Sequence, residues 1–383
     1  MVENMVFGDS FEDIELSPYK WATHMDKLEA IARGEDVFPV SVELDLVSYC
    51  NHNCGWCVDP KHMSHSLERN FVSELLRELK DLGIEGMVFK GGGEGTLHPS
   101  YAEILEETKE LGFEVGIVTN GGRLLELHKP ITKNASYVRV SVDGPTPDSH
   151  RGVHKSNDFD NIVAGVKEMV ELRDSLGQRH PITGISFAMD YSLIEMVEEA
   201  VNLGDNLGVN YVFFRPPFFE EVGRQNTMNV KQKRELLATF EKGKNSYKGK
   251  MKIFIDYWIS DSESEYFSSR GDSPRRGKYM QKGANGIEHV TERCLASPLL
   301  AVVAANKNVY PCCNLRFIEE WSIGTLDYGS GNTFERLWHG EKRKEIIDRT
   351  HRIKCIGFCT HPMSKYNEVI EYLRTPQHHR GFV

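Results

Sequence analysis

The fold of this chain is decided by one stretch, VSVELDLVSYCNHNCGWC, which runs from Val40 to Cys57. In its first half apolar and polar side chains alternate, which is the two-residue period of a β-strand. Its second half carries three cysteines with the spacing C-x3-C-x2-C, at Cys50, Cys54 and Cys57. A strand therefore leads directly into a loop that presents three thiols.

The same strand is followed by a regular alternation of helices and strands. FVSELLRELKDLG (Phe71 to Gly83) and PSYAEILEETKELG (Pro99 to Gly112) have helical spacing and end on glycine. Apolar runs such as GMVF, FEVGIVT and YVRVSV between the helices predict strands. Repeated β-α units of about 30 residues predict a parallel sheet with right-handed crossovers. We therefore expect an α/β fold, a partial (β/α)6 barrel, with its functional loops at the carboxyl ends of the strands.

Changes in composition divide the chain into three parts. We predict that residues 1–39 form an N-terminal lead-in with one helix near Tyr19 to Ala32. We predict that residues 40–260 form the partial barrel. Residues 261–383 begin with a polar, Ser- and Gly-rich linker and continue as a small C-terminal domain. In that domain LLAVVAANKNVYPCC predicts a β-hairpin that turns at residues 306–308.

Charge and hydropathy exclude several classes of protein. The net charge of −10 over 383 residues argues against a nucleic-acid partner, because such binding depends on neutralising phosphates. The N-terminus lacks the apolar core of a secretory signal, and the longest apolar run is too short for a membrane span. We expect a cytoplasmic protein without a membrane partner.

The eight cysteines fall into two groups, which predicts two separate metal sites. In the first group, zinc could be held by the three cysteines and His52, although structural zinc sites usually combine paired cysteine knuckles. The alternative is an iron–sulfur cluster, whose ligands are cysteine thiolates. Three thiolates leave one iron of a [4Fe–4S] cluster open to a small chelating molecule.

The first cysteine group resembles the signature of the radical SAM superfamily, in which an aromatic residue, here Trp56, precedes the last cysteine. Three further motifs follow in the order typical of this family: GGE at residues 92–94, VTNGG after the third strand and RVSVDG at the fourth. The resemblance implies that these segments bind S-adenosylmethionine (SAM). The implied SAM-binding residues are Trp56, Gly92, Gly93, Glu94, Asn120, Ser141 and Asp143.

The resemblance also implies the chemistry. A [4Fe–4S] cluster on Cys50, Cys54 and Cys57 binds SAM through its amino and carboxylate groups. An electron donor such as flavodoxin or ferredoxin reduces the cluster, and SAM is cleaved to a 5'-deoxyadenosyl radical that abstracts hydrogen from a substrate carbon. The carboxylate of Glu94 is expected to pair with the amino group of SAM.

The second cysteine group resembles a twitch domain, the short form of a SPASM domain, with one auxiliary [4Fe–4S] cluster. Its four expected ligands are Cys294, Cys312, Cys355 and Cys359. Cys313 is then left over, although it could exchange with Cys312 as the ligand. A structural zinc site is the alternative for this group.

Three reactions remain open for such an enzyme. We expect dehydrogenation of an alcohol on a small polyol, sugar or aminocyclitol, with the auxiliary cluster as electron acceptor. Asp256, Arg215 and Arg316 are the expected base or orienting residues. The first alternative is a radical epimerase in which Cys313 donates the hydrogen atom. The second is a peptide-modifying maturase, for which the residues before the first strand are few.

Overall fold

The computed structural model describes most of the chain. The described residues are 20–55, 57, 64–215, 230–255, 280–282, 288–290, 294–350 and 361–374. Four expected site residues lie outside them, namely Trp56, Asp256, Cys355 and Cys359.

Helices and strands alternate through the first two thirds of the chain. The strands are β1 (Ser41–Leu44), β2 (Gly86–Phe89), β3 (Glu114–Thr119), β4 (Tyr137–Ser141), β5 (Ile182–Ala188), β6 (Tyr211–Arg215), β7 (Lys252–Ile255), β8 (Met280–Lys282), β9 (Glu288–Val290), β10 (Leu300–Val303), β11 (Asn308–Tyr310) and β12 (Gly324–Thr325). The α-helices are α1 (Met25–Ala32), α2 (Arg69–Asp81), α3 (Tyr101–Glu110), α4 (Leu124–Asn134), α5 (Pro147–His154), α6 (Phe159–Ser175), α7 (Val197–Asn206), α8 (Val230–Ser246), α9 (Phe334–Trp338), α10 (Glu341–Thr350) and α11 (His361–Arg374).

The main sheet has ten strands in the order β12-β11-β10-β1-β2-β3-β4-β5-β6-β7. All neighbours from β10 through β7 are parallel, and only β10–β11 and β11–β12 are antiparallel. The carboxyl ends of β1 to β6 therefore meet at one edge of the sheet. This confirms the α/β class, and the sheet order is consistent with a partial barrel.

The two faces of the parallel strands differ in polarity. Residues paired across neighbouring parallel strands share a face, and alternate residues of a strand share it too. One face is apolar and packs on the helices: its residues include Val42, Leu44, Met87, Phe89, Val115, Ile117, Val138, Val140, Ile185, Phe187, Val212 and Phe214. The opposite face, which we call the lumen face, carries charged and hydroxyl side chains. Burial of the apolar face orients the sheet and turns the polar face inward.

Two tyrosines fill the lumen face near the amino-terminal ends of the strands. A Cβ on Gly116 would lie 2.4 Å from the Tyr137 ring, and one on Gly184 would lie 2.1 Å from the Tyr211 ring. The absence of side chains on these two glycines therefore allows the tyrosine rings to lie flat against the sheet. Toward the carboxyl ends of the strands, the lumen face carries charged and hydroxyl side chains such as Ser141.

The C-terminal hairpin continues the barrel sheet. As predicted, β10 and β11 form an antiparallel hairpin around residues 304–307, and β10 also pairs with β1 in parallel register. The last helix, α11, packs through Ile370 on Leu28 and Ile31 of α1 in a second core. The predicted domain boundary near residue 260 remains a prediction.

The first strand is shorter than its alternation predicts. β1 ends at Leu44, although the amide of Asp45 still donates to Val303 of β10. The chain then changes partners, because Leu46 accepts from the amide of Leu67. The predicted helix in the lead-in is present as a 3-10 turn followed by α1. Among the described residues, every helix is too short or too polar to cross a bilayer.

Burial of the α2 apolar stripe against the sheet generates a stability prediction. Leu75 is fully buried, and Leu75→Ala should lower the free energy of unfolding by about 3 kcal/mol, because it leaves a cavity in the core. Leu125→Ala is the control, because Leu125 is 40% exposed and its loss should cost less than about 0.5 kcal/mol. Denaturant unfolding measures both, and equal effects would contradict the orientation of α2.

Candidate active site

The three-cysteine loop lies at the carboxyl edge of the sheet. Cys50 is exposed, while Cys54 and Cys57 are partly buried. The loop is docked on the end of α5 by two backbone hydrogen bonds, from the amide of Asn53 to His154 and from the amide of Gly55 to Val153. The three thiols are thus presented by a loop whose backbone is fixed by a neighbouring helix.

The GGE segment packs directly under this loop. A Cβ on Gly93 would lie 2.4 Å from the carbonyl oxygen of Tyr49, and the amide of Glu94 donates to that same oxygen at 2.9 Å. Only glycine therefore permits this approach of the two backbones. The sequence motif is explained by the contact between the two loops.

The carboxylate of Glu94 is buried and hydrogen-bonded inside the protein. Oε1 accepts from the amide and hydroxyl of Thr96 and from the Thr119 hydroxyl, and Oε2 accepts from the amide of Asn120 at 2.7 Å. These bonds tie the loop after β2 to the end of β3. Pairing of this carboxylate with the SAM amino group remains a prediction, and the structure shows the side chain in a bracing role.

Asn120 links the end of β3 to the cysteine loop. Its Nδ2 donates to Asn51 Oδ1 at 2.8 Å and lies 3.6 Å from the sulfur of Cys50. Its Oδ1 accepts from the amide of Gly122. The amide side chain is thus oriented at both ends beside the first cysteine.

A buried chain of two carboxylates and two imidazoles lies behind Cys54. Asp158 Oδ2 is 2.8 Å from His52 Nε2, His52 Nδ1 is 2.9 Å from His154 Nδ1, and His154 Nε2 is 3.0 Å from Asp143 Oδ2. His154 Nδ1 is also 3.3 Å from the sulfur of Cys54. We call these four residues the His–Asp chain.

The number of protons in the His–Asp chain follows from the two carboxylates at its ends. Both ionised carboxylates only accept, so the Nε2 atom of each imidazole carries a proton. The contact between the two Nδ1 atoms needs a third proton, so the two rings together carry three protons and one positive charge. Burial opposes that charge, but Asp143 and Cys54 raise the pKa of His154 to about 10, which places the charge on His154.

The thiols of Cys50 and Cys54 have different pKa values because their surroundings differ. Although part of Cys50 reaches the surface, the loss of water around its sulfur raises the pKa of Cys50 to about 11. Burial acts in the same direction on Cys54, but the hydrogen bonds from His154 and His52 outweigh it and lower the pKa of Cys54 to about 7. Although burial opposes ionisation of Asp143, its hydrogen bond and charge contacts with His154, and the charge of Arg215, lower its pKa. Asp143 is therefore an ionised partner of His154.

In the zinc alternative, the ion would be bound by side-chain atoms that already contact one another. Among the described residues, a divalent ion could be held by His52, Cys54 and His154, whose ligand atoms lie within 4.8 Å of one another, or by His52, His150 and Asp158. Neither set includes Cys50 or Cys57. A zinc ion on His52 would replace the hydrogen bonds of the His–Asp chain, whereas a cluster on the three thiolates leaves them intact.

The lumen face beside this loop carries cations and hydroxyls. Ser141 pairs in register with Ser186, and Arg139 lies one step deeper on the same face, 5.6 Å from the centre of the Phe213 ring. Arg215 ends β6, opposite Ala188, whose amide donates to Asp143. The expected residues Ser141, Asp143 and Arg215 are therefore brought to one edge.

A second buried charge cluster lies where β1 and β2 end. Glu43 is bonded by Lys90 and by Arg316, each at 2.8 Å, and Arg316 Nε lies 2.9 Å from Asp45. Burial opposes ionisation of Glu43, but the two cations lower its pKa. Cys313 lies within the influence of Glu43, Lys90 and Arg316, and its pKa is lowered first of all by a hydrogen bond from Cys312.

The segment after Cys313 reaches the GGE loop. A Cβ on Gly92 would lie 1.9 Å from the Phe317 ring, so the ring rests on that glycine. Phe317 holds this position with a φ of 61°, a conformation that costs energy for a bulky residue. The C-terminal part of the chain therefore covers one side of the expected SAM site.

Two of the four expected ligands in the second cysteine group, Cys294 and Cys312, lie within the described residues. Cys294 receives a hydrogen bond from Asn367 of α11 at 3.9 Å, and the hydroxyl of Ser297 donates to Pro311, next to Cys312. The hairpin thus brings the segments before β10 and after β11 to the same end. The ligand set of an auxiliary cluster remains a prediction.

Several functional side chains were not expected from the sequence. His150 and His154 have the i, i+4 spacing of one helix face, which was the available signal for a histidine site. Glu43 of β1 and Asp45 just after the strand stand at alternate positions, where buried acids indicate a polar lumen. No sequence pattern indicated a functional role for Lys90.

The difference between the thiols generates a prediction. At pH 8 in the iron-free protein, Cys54 should be about nine-tenths thiolate and Cys50 about one part in a thousand, because only the thiolate is nucleophilic when pKa values are about 7 and about 11. Iodoacetamide should therefore label Cys54 first, with a rate that rises through pH 7, as read by peptide mass spectrometry. Equal labelling of both residues at pH 8 would contradict the geometry.

Comparison with known proteins agrees with this site. Residues 45–204, which contain the cysteine loop, the GGE segment and the His–Asp chain, match the model of the Radical SAM superfamily. The chain is 26% identical over 239 residues to a probable GTP 3',8-cyclase of Thermococcus kodakarensis, a match that covers 58% of this chain and 75% of that protein.

Solved structures show the same fold. The crystal structure of Streptococcus suis SuiB bound to S-adenosylmethionine has a TM-score of 0.62 at 14% identity, covering 91% of this chain and 81% of that one. SuiB bound to its precursor peptide SuiA has a TM-score of 0.60 at 14% identity, over 94% and 81% of the two chains. At this identity the likeness supports the fold alone.

The donor set fits the cofactors of that family. Three thiols stand on one loop, one of them beside a cation that favours the thiolate, and a glycine backbone approaches them closely. Radical SAM proteins bind a [4Fe–4S] cluster and SAM, and Cys50, Cys54 and Cys57 would hold that cluster here. The chain therefore contains a radical SAM domain with its cluster loop at the carboxyl end of the first barrel strand.

Proposed function

We propose that the protein is a radical SAM oxidoreductase that dehydrogenates an alcohol carbon of a small polar substrate bound against the lumen face. The observation that carries this proposal is the buried charge cluster of Glu43, Lys90, Asp45 and Arg316 at the carboxyl end of β1 and β2. When bound, the cluster and SAM supply the 5'-deoxyadenosyl radical that abstracts the hydrogen atom.

The polarity of the lumen face supports a hydroxyl-bearing substrate. Charged and hydroxyl side chains from β1, β4, β5 and β6 lie on this face, together with Lys90 just after β2, and the tyrosines below them limit its depth. Buried polar groups need hydrogen-bond partners, and a polyol, sugar or aminocyclitol offers them. An apolar substrate would lie against charged side chains without making hydrogen bonds to them.

Glu43 is the group we propose to accept the hydroxyl proton. Oxidation of an alcohol removes a hydrogen atom from carbon, a proton from oxygen and one further electron, so a base must stand near the substrate oxygen. Glu43 is ionised, and its side chain is only 8% exposed. Arg316 and Lys90 orient the carboxylate of Glu43, which is open to solvent only through the lumen.

Of the expected base or orienting residues, Arg316 fits best as an orienting residue. It contacts both Glu43 and Asp45, whereas Arg215 faces Asp143. Cys294 and Cys312, with Cys355 and Cys359 outside the described residues, would hold the group that takes the further electron. Flavodoxin or ferredoxin is the proposed donor for the first cluster.

A second candidate function is radical epimerisation. The observation in its favour is the position of Cys313 beside Glu43, Lys90 and Arg316, on the substrate side of the C-terminal segment. In that reaction the thiol of Cys313 donates a hydrogen atom to the substrate radical, and the substrate keeps its oxidation level. Dehydrogenation uses Glu43 instead and leaves Cys313 unchanged.

Anaerobic turnover in deuterated water distinguishes the two reactions. With SAM, a strong reductant and a panel of polyols and aminocyclitols, dehydrogenation gives a product two mass units lighter. Epimerisation gives a product that carries one solvent deuterium at carbon. SAM cleavage that is not stimulated by any member of the panel would contradict the proposed substrate class.

Two variants assign the residues. Glu43→Gln should lower substrate oxidation about 100-fold or more while SAM cleavage continues, because it removes the base and keeps the size of the side chain. Cys313→Ser should leave dehydrogenation unchanged and should abolish epimerisation. Full turnover in Glu43→Gln would contradict the role of this carboxylate.

A further inference from the structure

We propose that Arg139 is a specificity-determining residue that binds a carboxylate group of the substrate, which makes the substrate a polyhydroxy acid. The inference rests on the proposed function and deepens it, because it names a second group that the substrate carries besides the reacting hydroxyl. It comes from the surroundings of one cation on the lumen face.

Arg139 differs from the other cations of the lumen face in its contacts. Lys90 and Arg316 both bond to the carboxylate of Glu43. Within the described part of the chain, Arg139 makes neither an ion pair nor a hydrogen bond through its side chain, and its guanidinium lies 5.6 Å from the centre of the Phe213 ring. A contact with an aromatic ring holds the guanidinium but leaves its charge without a counter-ion.

The side chain of Arg139 leans toward the carboxyl edge of the sheet. Arg139 lies opposite Gly184 in register, and Gly184 lies opposite Tyr211. The Tyr211 ring covers Gly184, and Phe213 stands one two-residue step nearer the carboxyl end of β6. Because the guanidinium lies beside Phe213, its charge has moved along the sheet toward the edge that holds the cysteine loop.

The guanidinium is accessible to a ligand and lies close to a hydroxyl group. Arg139 and Phe213 are half-buried although both lie on the lumen face. Ser186 pairs in register with Phe213, and its hydroxyl donates to the Val140 carbonyl at 3.5 Å, a long bond that a ligand oxygen can replace. A half-buried cation gains most from an ionised partner, and the planar fork of arginine matches the two oxygens of a carboxylate.

The charge of the site favours a carboxylate over a phosphate. One guanidinium carries one positive charge, which equals the charge of a carboxylate, whereas a phosphate monoester carries about −1.5 to −2 near pH 7. The strand order places Glu43 of β1 three strands away from Arg139 of β4, which is about 14 Å along the sheet. The carboxylate and the reacting hydroxyl therefore belong to different ends of the substrate.

The test is equilibrium binding to the cluster-loaded protein with SAM, measured under argon by isothermal titration calorimetry without a reductant. The probes are pairs that differ in one carboxylate: D-gluconate with D-glucitol, D-galactonate with galactitol, and D-glucuronate with D-glucose. D-glucitol 6-phosphate tests a phosphate in place of the carboxylate. No turnover occurs under these conditions, so the measurement reports binding alone.

Three variants assign the binding to Arg139. Arg139→Met removes the charge and keeps a long side chain, and Arg139→Lys keeps the charge without the fork. Arg77→Gln is the matched control, because it removes one positive charge from a residue of the outer helix α2 whose side chain is 63% exposed. Circular dichroism and iron content show that each variant is folded and loaded.

We expect at least one acid to bind about tenfold or more tightly than its neutral partner, because a hydrogen-bonded ion pair is formed. Arg139→Met should abolish this advantage, Arg139→Lys should keep part of it, and Arg77→Gln should keep all of it. The affinity for the neutral partner should stay unchanged in every variant. If Arg139→Met does not fold, Arg139→Lys decides, since it should weaken the acid about threefold or more.

A panel in which no acid binds more tightly than its neutral partner would overturn the inference. An advantage that survives in Arg139→Met, or that Arg77→Gln removes equally, would overturn it too. Tighter binding of D-glucitol 6-phosphate than of D-gluconate would contradict the assignment of a carboxylate. Failure of the proposed function gives a different result, namely an acid that binds through Arg139 and is not oxidised when a reductant is added.

Discussion

The parallel pairing of β1 through β6 is the constraint on which the rest of the structure depends. Because the strands run the same way, their carboxyl ends and the loops after them meet at one edge. The apolar face of the sheet must be buried against the helices, so the polar face has to turn inward. The cysteine loop, the GGE segment and the lumen charges are therefore neighbours, although they are distant in the chain.

Two clusters of buried, oppositely charged groups lie at this edge of the sheet. In the His–Asp chain, His154 is bonded to Asp143 through Nε2, and its Nδ1 lies near the thiol of Cys54. In the cluster around Glu43, two cations face two carboxylates at the entrance of the lumen. Within each cluster the opposite charges contact one another, which lowers the free-energy cost of burying them. Defined atoms of each cluster are then directed at ligands. Proton and electron movements can then be separated in space.

The fold could be predicted from the sequence because periodicity reports local structure directly. The strand before Cys50, the helices near residues 71 and 99, and the hairpin near residue 306 all occur as predicted. The end of β1 could not be predicted, because it depends on a change of pairing partner at Leu46. The alternation of polar and apolar residues continues past that point even though the strand does not.

The site could be predicted only where its residues form a motif. Cys50, Cys54, Cys57 and the GGE glycines are fixed by loop spacing, and the close backbone contact at Gly93 explains them. His154 and Glu43 act through contacts with residues about 100 and 270 positions away, and tertiary pairings of this kind leave no periodic signal. Glu94 is marked by its motif, its carboxylate is hydrogen-bonded within the protein, and its pairing with the amino group of SAM stays a prediction.

The central claim is that Cys50, Cys54 and Cys57 hold a [4Fe–4S] cluster with one iron open to SAM. The most direct measurement is EPR spectroscopy of the chemically reduced protein, purified under argon, before and after addition of SAM. The account predicts a [4Fe–4S]+ signal whose g-values change when SAM is added, and the loss of that signal when Cys54 is replaced by Ala. A colourless protein that binds only a divalent ion, with no such signal, would contradict it.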